Sequence, residues 1–274
     1  MTVMTGSTGR DAREATLGSD AVGESVVLRV KGLSKSYAGR PVLDGIDAEV
    51  RSGEFVCVVG PSGAGKTTLL RCLAGLMAPT GGAVFMDDVL VERPPEKLAV
   101  VFQDYSRSLM PWMSVLGNVT LPLRSKAMSR GDRQQAGLAA LAGVGLEGCE
   151  HQYPWQLSGG MQQRVAIARA LAYQPEALLM DEPFASVDAQ TRADLEDLIL
   201  RVRREFGVTV VLVTHDIDEA VYLADRVLVL SGRPTTVRAV VDVPLPADRD
   251  QLHTKSLPEF AVLRSRVLKL IQEG

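Results

Sequence analysis

The feature that most constrains this chain is a five-residue apolar run, Phe55 to Val59, followed at once by Gly60-Pro61-Ser62-Gly63-Ala64-Gly65-Lys66-Thr67-Thr68. The run reads as a strand, the glycine-rich stretch as a tight loop, and Lys66 onward as a helix. In that context the pattern G-x-x-x-x-G-K-[ST] is a phosphate cradle. Gly60, Gly63 and Gly65 let backbone N–H groups turn toward phosphate oxygens, and the following helix adds the partial positive charge of its N-terminus. Pro61, Ser62, Ala64 and Thr68 complete the cradle. Lys66 is expected to reach the β- and γ-phosphates of a nucleotide, and Thr67 to ligate Mg²⁺.

Along the rest of the chain, apolar segments alternate in type. Val26 to Val30, Ile46 to Val50, Val84 to Met86, Leu98 to Phe102, Ala177 to Met180 and Val208 to Val213 read as strands. Lys66 to about Met77 reads as a helix stopped by Pro79 and Gly81-Gly82, and Gly159 to Tyr173 and Thr191 to Phe206 read as two more. Such alternation predicts an α/β fold with a mainly parallel sheet. Between about 104 and 157 the strand signals vanish, and Ser114 to Arg124 and Arg130 to Ala142 predict helices of an inserted subdomain. After residue 231 there is room for a strand or two and an amphipathic helix at Glu259 to Ile271. Its basic residues Arg264, Arg266 and Lys269 read as a solvated face. Residues 1–24, rich in Thr, Gly, Ser, Asp and Glu, read as a flexible leader to one domain over 25–274.

A phosphate cradle alone leaves the reaction open. The second acidic element is Leu178-Leu179-Met180-Asp181-Glu182-Pro183, where a buried strand ends in two carboxylates at the edge where parallel sheets bind ligands. Asp181 is placed to hold Mg²⁺ and Glu182 to polarise an attacking water.

Between these elements stands Leu157-Ser158-Gly159-Gly160-Met161-Gln162-Gln163-Arg164. With it the chain resembles the ABC transporter ATPase family over about Val26 to Ser231. The resemblance implies a P-loop NTPase cassette whose mainly parallel core carries an antiparallel β region and an inserted helical subdomain. It implies that Ser158, Gly159, Gly160 and Gln162 bind the γ-phosphate of ATP held by a second copy, so that two nucleotides are sandwiched in a homodimer. By the same resemblance Tyr37 stacks on adenine, and Gln103, closing Val100-Val101-Phe102-Gln103, senses Mg²⁺ and belongs with its ligands. Ser186-Val187-Asp188 matches the loop that crosses the dimer interface, with Val where Leu is common. His215 matches the residue that contacts the γ-phosphate. The implied chemistry is in-line attack of water on that phosphate, with Glu182 as base.

The stretch Leu109 to Val119, with His215 to Arg226 and Leu257 to Arg264, is similar to the ATPases of the nitrate, sulfonate and taurine importer group. Trp155, where these importers often carry His, departs from their pattern. That similarity implies uptake of a small anion through a membrane permease, served indirectly by an extracytoplasmic substrate-binding protein. It places the chain as a peripheral protein on the cytoplasmic face of the membrane. Met110, Trp112 and Met113 suit an adaptable groove for a short permease helix, or equally the packing of the subdomain itself.

Composition narrows the rivals. No segment approaches the ~18 to 20 apolar residues of a membrane-spanning helix, so a membrane role requires a partner. A formal net charge of −3 and a pI near 5.7 offer no general basic surface for a nucleic-acid backbone. A soluble ATPase acting on nucleic acid or in translation therefore ranks below a transporter subunit, as does a non-hydrolysing regulator, because Glu182 and His215 are both present. The catalytic motifs do not set direction, so an exporter stays open. Cys57, Cys72 and Cys149 lack the spacing of a zinc site or disulfide framework and read as small buried residues.

Overall fold

The structure is a computed structural model that describes residues 25–104 and 108–273; the expected leader, 1–24, lies outside the described residues. A hairpin of two long strands opens it, β1 (Val26–Tyr37) and β2 (Arg40–Arg51), followed by β3 (Phe55–Val59). Helix α1 (Lys66–Leu73) leads to β4 (Gly81–Met86), β5 (Val89–Leu90) and β6 (Leu98–Val101). Then come α2 (Val115–Thr120), a 3₁₀ turn at Leu121–Ser125, α3 (Arg130–Gly143) and α4 (Gly159–Ala172). The chain continues through β7 (Ala177–Asp181), α5 (Ala189–Phe206), β8 (Thr209–Val213), α6 (Ile217–Leu223), β9 (Arg226–Ser231) and β10 (Thr236–Asp242). It closes with a short α7 (His253–Ser256) and α8 (Pro258–Gln272).

Two sheets result. One is antiparallel, in the order β2-β1-β4-β5; the other runs β10-β9-β3-β8-β7-β6 and is parallel except for β10. Every residue of β3, β7 and β8 is buried, as strands covered on both faces must be. The period of two divides the core. Phe55, Cys57 and Val59 face the cluster built with α4, α5, α6 and α8, while Val56 and Val58 face the cluster shared with α1 and the antiparallel sheet. The parallel sheet is thus the middle layer.

Most expected elements are present, with four differences. Helix α1 stops at Leu73, short of Met77, because Gly75 takes φ +65° and Leu76 and Gly75 donate back to the carbonyls of Arg71 and Cys72. That is a Schellman closure. The helix expected over Ser114 to Arg124 is α-helical only to Thr120; Pro122 leaves the remainder as a 3₁₀ turn. Strand β1 runs well past Val30, to Tyr37, and β2 begins before Ile46, at Arg40, because Ser34 and Asp47 side chains satisfy the irregular positions Gly45 and Gly32. Helix α6, strand β9, the two-residue β5 and the short α7 were not anticipated as elements at all.

The helices of the inserted region are centred on Leu109, Val115, Val119 and Leu141, all buried. Asn118, fully buried, ties the incoming loop down: its side chain accepts from Met110 N–H and donates to the carbonyls of Met110, Met113 and Ser114. Trp112 does not pack this core; it is 73% exposed, with Met110 and Met113 half-buried beside it. Trp155 is equally open and stacks on Tyr153, ring centroids 6.0 Å apart. Arg264, Arg266 and Lys269 lie on the exposed face of α8, as expected, while Phe260, Leu263 and Val267 are buried. Cys57 and Cys72 are buried and Cys149 half-buried.

Candidate functional site

Four parallel strands lie side by side, β3, β8, β7 and β6, and their C-terminal ends bring four separate stretches of sequence to one edge. Val58 pairs with Val213, Val213 with Asp181, and Met180 with Val101. The edge therefore carries the glycine loop after Val59, His215 after Val213, Asp181-Glu182, and Gln103 after Val101. Ligands of open α/β sheets bind at such an edge.

In the loop, Gly63 and Gly65 hold φ of +78° and +74°, and a Cβ on Gly65 would sit 2.8 Å from Val42 Cγ1. Gly60 admits no side chain either, since its Cβ would lie 2.7 Å from the Leu230 carbonyl oxygen. Pro61, Ser62 and Gly63 are exposed, whereas Ala64 is buried. Gly65 stands at the N-cap of α1 without a side chain to bond the first turn. By contrast Ser114, Ser129, Ser158, Asp188 and Asp216 each cap the helix that follows them. The first-turn N–H groups of α1 thus remain available to an anion.

Lys66 is buried, and its ammonium donates to the carbonyls of Gly60 (2.9 Å) and Pro61 (3.2 Å). Burial lowers its pKa, with Glu182 and Asp181 opposing that shift. Thr67 donates its hydroxyl to Asp181 Oδ1 at 3.1 Å. Burial raises the Asp181 carboxyl, the Thr67 bond lowers it, and Glu182 raises it further. Arg71 and Lys66 lower it in turn. A buried carboxylate and a hydroxyl in contact are a fitting oxygen donor pair for a hard divalent cation. Thr67 and Asp181 are the residues that would hold Mg²⁺; when bound, it would neutralise charge on the phosphates.

Glu182 adopts φ +43°, unusual for a residue with a side chain, and its N–H is held by the Val213 carbonyl at 2.9 Å. Two groups converge on its Oε2: the Gln103 amide at 3.3 Å and His215 Nδ1 at 3.2 Å. Gln103 therefore hydrogen-bonds Glu182, the residue next to Asp181 of the Thr67–Asp181 pair with which the resemblance groups it as an Mg²⁺ ligand. Tyr37, half exposed at the end of β1, brings its hydroxyl to 3.4 Å from Thr68 Oγ1 and donates to Met77 Sδ at 3.0 Å. Its ring is thus beside the start of α1.

Ser158, Gly159, Gly160 and Gln162 lie elsewhere. Ser158 Oγ accepts from Met161 N–H at 3.3 Å, and Gln162 donates to the carbonyls of Pro154 and Leu157. None of these hydrogen bonds reaches residues 60–68 among the described residues. Ser158 and Gly159 are exposed. A Cβ on Gly160 would lie 2.5 Å from Thr191 Cγ2, and Thr191 in turn is bonded through N–H and hydroxyl to Asp188. The start of α4 therefore packs against the first turn of α5 and is linked through Thr191 to Asp188 of the 186–188 loop, a link the sequence did not reveal.

Sequence reading also missed a polar cleft beside Glu182 and His215. Arg192, Thr214, Asp216 and Glu219 line it together with Glu182, Ala185 and His215. The only hint was Asp216-x-x-Glu219, the spacing of a helix-start capping box.

Residues 43–185 match the family model described as ABC transporter. The chain is 43% identical over 252 residues to the taurine import ATP-binding protein TauB of Yersinia pestis, covering 90% of this chain and 98% of that one. It is 40% identical to the nitrate import ATP-binding protein NrtD of Synechococcus elongatus, covering 84% of each. Among solved structures, the dimeric post-hydrolysis state of the ATP-binding cassette MJ0796 with ADP and Pi is similar at TM-score 0.69 and 35% identity. That match covers 79% of this chain and 98% of the solved one.

Proposed function

Because this chain belongs to the ABC transporter family, whose ATP-binding members hydrolyse ATP, we propose that it powers import of a small anion as a dimer docked on a membrane permease. The observation that carries the reading is the convergence of Gln103 and His215 on Glu182, one residue from the Thr67–Asp181 pair and across the sheet edge from Lys66. ATP lies with its adenine on Tyr37 and its phosphates along residues 60–68. Residues Ser158, Gly159, Gly160 and Gln162 of a second copy close over the γ-phosphate; the exposure of Ser158 and Gly159 at the start of α4 supports that arrangement.

Glu182 takes a proton from the attacking water as the water oxygen bonds to the γ-phosphorus. The bond from that phosphorus to the β–γ bridging oxygen breaks, and ADP and phosphate result. Gln103 and His215 hold the carboxylate in line, and Lys66 exchanges its carbonyl partners for phosphate oxygens.

The small anion is proposed from the taurine and nitrate names of the two importer relatives. The permease would meet the helical region over 104–157, where Trp112 presents an open indole. A substrate-binding protein outside the membrane would then deliver cargo, and the chain itself would sit on the cytoplasmic face. No helix among the described residues is long and apolar enough to cross a membrane.

The test is ATP turnover by wild type and Glu182→Gln, with sizing in ATP. The expected result is a loss of roughly 100-fold or more in the variant together with an ATP-trapped dimer. Equal turnover and no dimer would refute both the base and the sandwich. Uptake of labelled taurine and nitrate by cells carrying each form tests the cargo.

A further inference from the structure

The cleft beside Glu182 holds a chain of contacts that the catalytic reading does not use. Thr214, buried directly before His215, donates its hydroxyl to Glu219 Oε2 at 2.6 Å. The same hydroxyl oxygen accepts the Asp216 N–H at 2.9 Å. His215 is therefore flanked by two backbone positions tied to one hydroxyl, whose orientation is set by Glu219.

Asp216 and Glu219 have the spacing of a capping box, in which the glutamate would reach back to the N-cap N–H. Here Thr214 intervenes: Asp216 Oδ1 caps the N–H groups of Asp218 and Glu219, while Glu219 holds the hydroxyl. Arg192, on the first turn of α5, spans the cleft with Nη1 3.2 Å from Asp216 Oδ2 and Nε 3.7 Å from Glu219 Oε1. Among the described residues its Nε has no hydrogen-bond partner.

From this geometry we infer that Glu219 is a positioning residue for ATP hydrolysis: through Thr214, and braced by Arg192, it fixes the segment that aims His215 at Glu182. The inference rests on Glu182 and His215 serving hydrolysis. It also connects the base to the loop at 186–188, because Arg192 lies one residue beyond Thr191, which Asp188 binds.

The state of Glu219 is sensitive to pH. Burial, the largest effect, pushes its carboxyl from 4.5 up to about 7; the Thr214 hydrogen bond and Arg192 oppose this, and Asp216 and Glu196 reinforce it. Groups on the neighbouring elements are already engaged. Glu196 pairs with Lys255 at 3.0 Å, Asp218 with Arg264 at 3.0 Å, and Cys57 behind the site is held neutral by burial. Glu182 and His215 face it across the cleft. Protonation weakens the hold on Arg192 and leaves the hydroxyl a poorer acceptor partner, so hydrolysis falls as pH drops below about 7.

The experiment measures kcat and KM for ATP with the full-length protein from pH 6 to 8.5. Glu219→Gln is expected to lower kcat at pH 8 by roughly 10- to 100-fold with KM within about twofold, and to approach wild type near pH 6. A Glu219→Gln profile parallel to wild type, or a wild-type rate at pH 8, overturns the proposal. Thr214→Val removes the relay at nearly constant volume and should show the same kcat-selective loss, with Thr214→Ser recovering most of it; wild-type turnover in Thr214→Val also overturns the proposal. Glu182→Gln measured alongside separates the layers. Lost turnover there with an unaltered Glu219→Gln sinks the positioning role alone, whereas full turnover in Glu182→Gln sinks the reading beneath it.

Discussion

Glu219→Gln is also expected to make the folded chain more stable at high pH, and the amount follows from its surroundings. Glu219 is 4% exposed, and its carboxyl is raised from 4.5 to about 7, chiefly by burial. Between those values the folded state holds a proton that the unfolded state has released. Stability contributed by this group is therefore present below 4.5 and lost as pH rises through 7. The full loss is roughly 3 kcal/mol, of which roughly 2.5 kcal/mol falls between about pH 5 and pH 8. Glutamine keeps the shape and only a neutral, weaker acceptor for Thr214, and carries no charge to desolvate. The variant should match wild type near pH 5 and exceed it by roughly 2 to 3 kcal/mol at pH 8, an upward shift in Tm of about 5 to 10 °C for a domain of this size. Paired thermal melts at several pH values cancel the carboxylates common to both proteins. A difference in Tm that does not grow with pH would refute the argument, and with it the claim that this carboxyl is kept costly for the sake of the site.

Two further perturbations test separate contacts. Gly160→Ala places a methyl 2.5 Å from Thr191 Cγ2 and should destabilise by about 1 to 3 kcal/mol; adding Thr191→Ser, which removes that methyl and keeps the hydroxyl on Asp188, should recover much of the loss in a thermal double-mutant cycle, and additive effects would deny the contact. Tyr37→Leu should weaken ATP binding by about 0.5 to 1.5 kcal/mol through lost stacking, with Tyr37→Phe retaining most of the affinity, as read by nucleotide titration; equal losses in both would assign the effect to the hydroxyl at Thr68 instead.

What could be read from the sequence was whatever is local. The run Phe55–Val59 and the loop behind it are contiguous, and so are Leu178–Met180 and the two carboxylates that follow, so strand, edge and chemistry come from one window. Gln103 and His215 were legible only through family resemblance, because nothing local sets them 3.3 and 3.2 Å from one carboxylate oxygen. Strand register does that, through the pairs Val101 with Met180 and Asp181 with Val213. Helix α6 was obscured by its brevity and by Asp218 and Glu219 in its first turn. The buried carboxylates Glu196 and Glu219 were invisible for a deeper reason: charged side chains carry an expectation of exposure, and only tertiary packing buries these two.

The caps show how local chemistry sorts binding helices from structural ones. Ser114, Ser129, Asp188 and Asp216 close the first turns of α2, α3, α5 and α6 with their own oxygens, so those turns have little left for a ligand. At α1 the N-cap is Gly65, which offers no oxygen, and the first turn stays unclosed behind a buried lysine. Ser158 is an intermediate case. Its Oγ accepts from Met161 N–H, yet a hydroxyl that accepts still has its proton to donate, and this one is exposed. Ser158 can therefore stabilise α4 in the free chain and still donate to an oxygen without giving up the cap, so the sandwich proposed above would require no unwinding of α4.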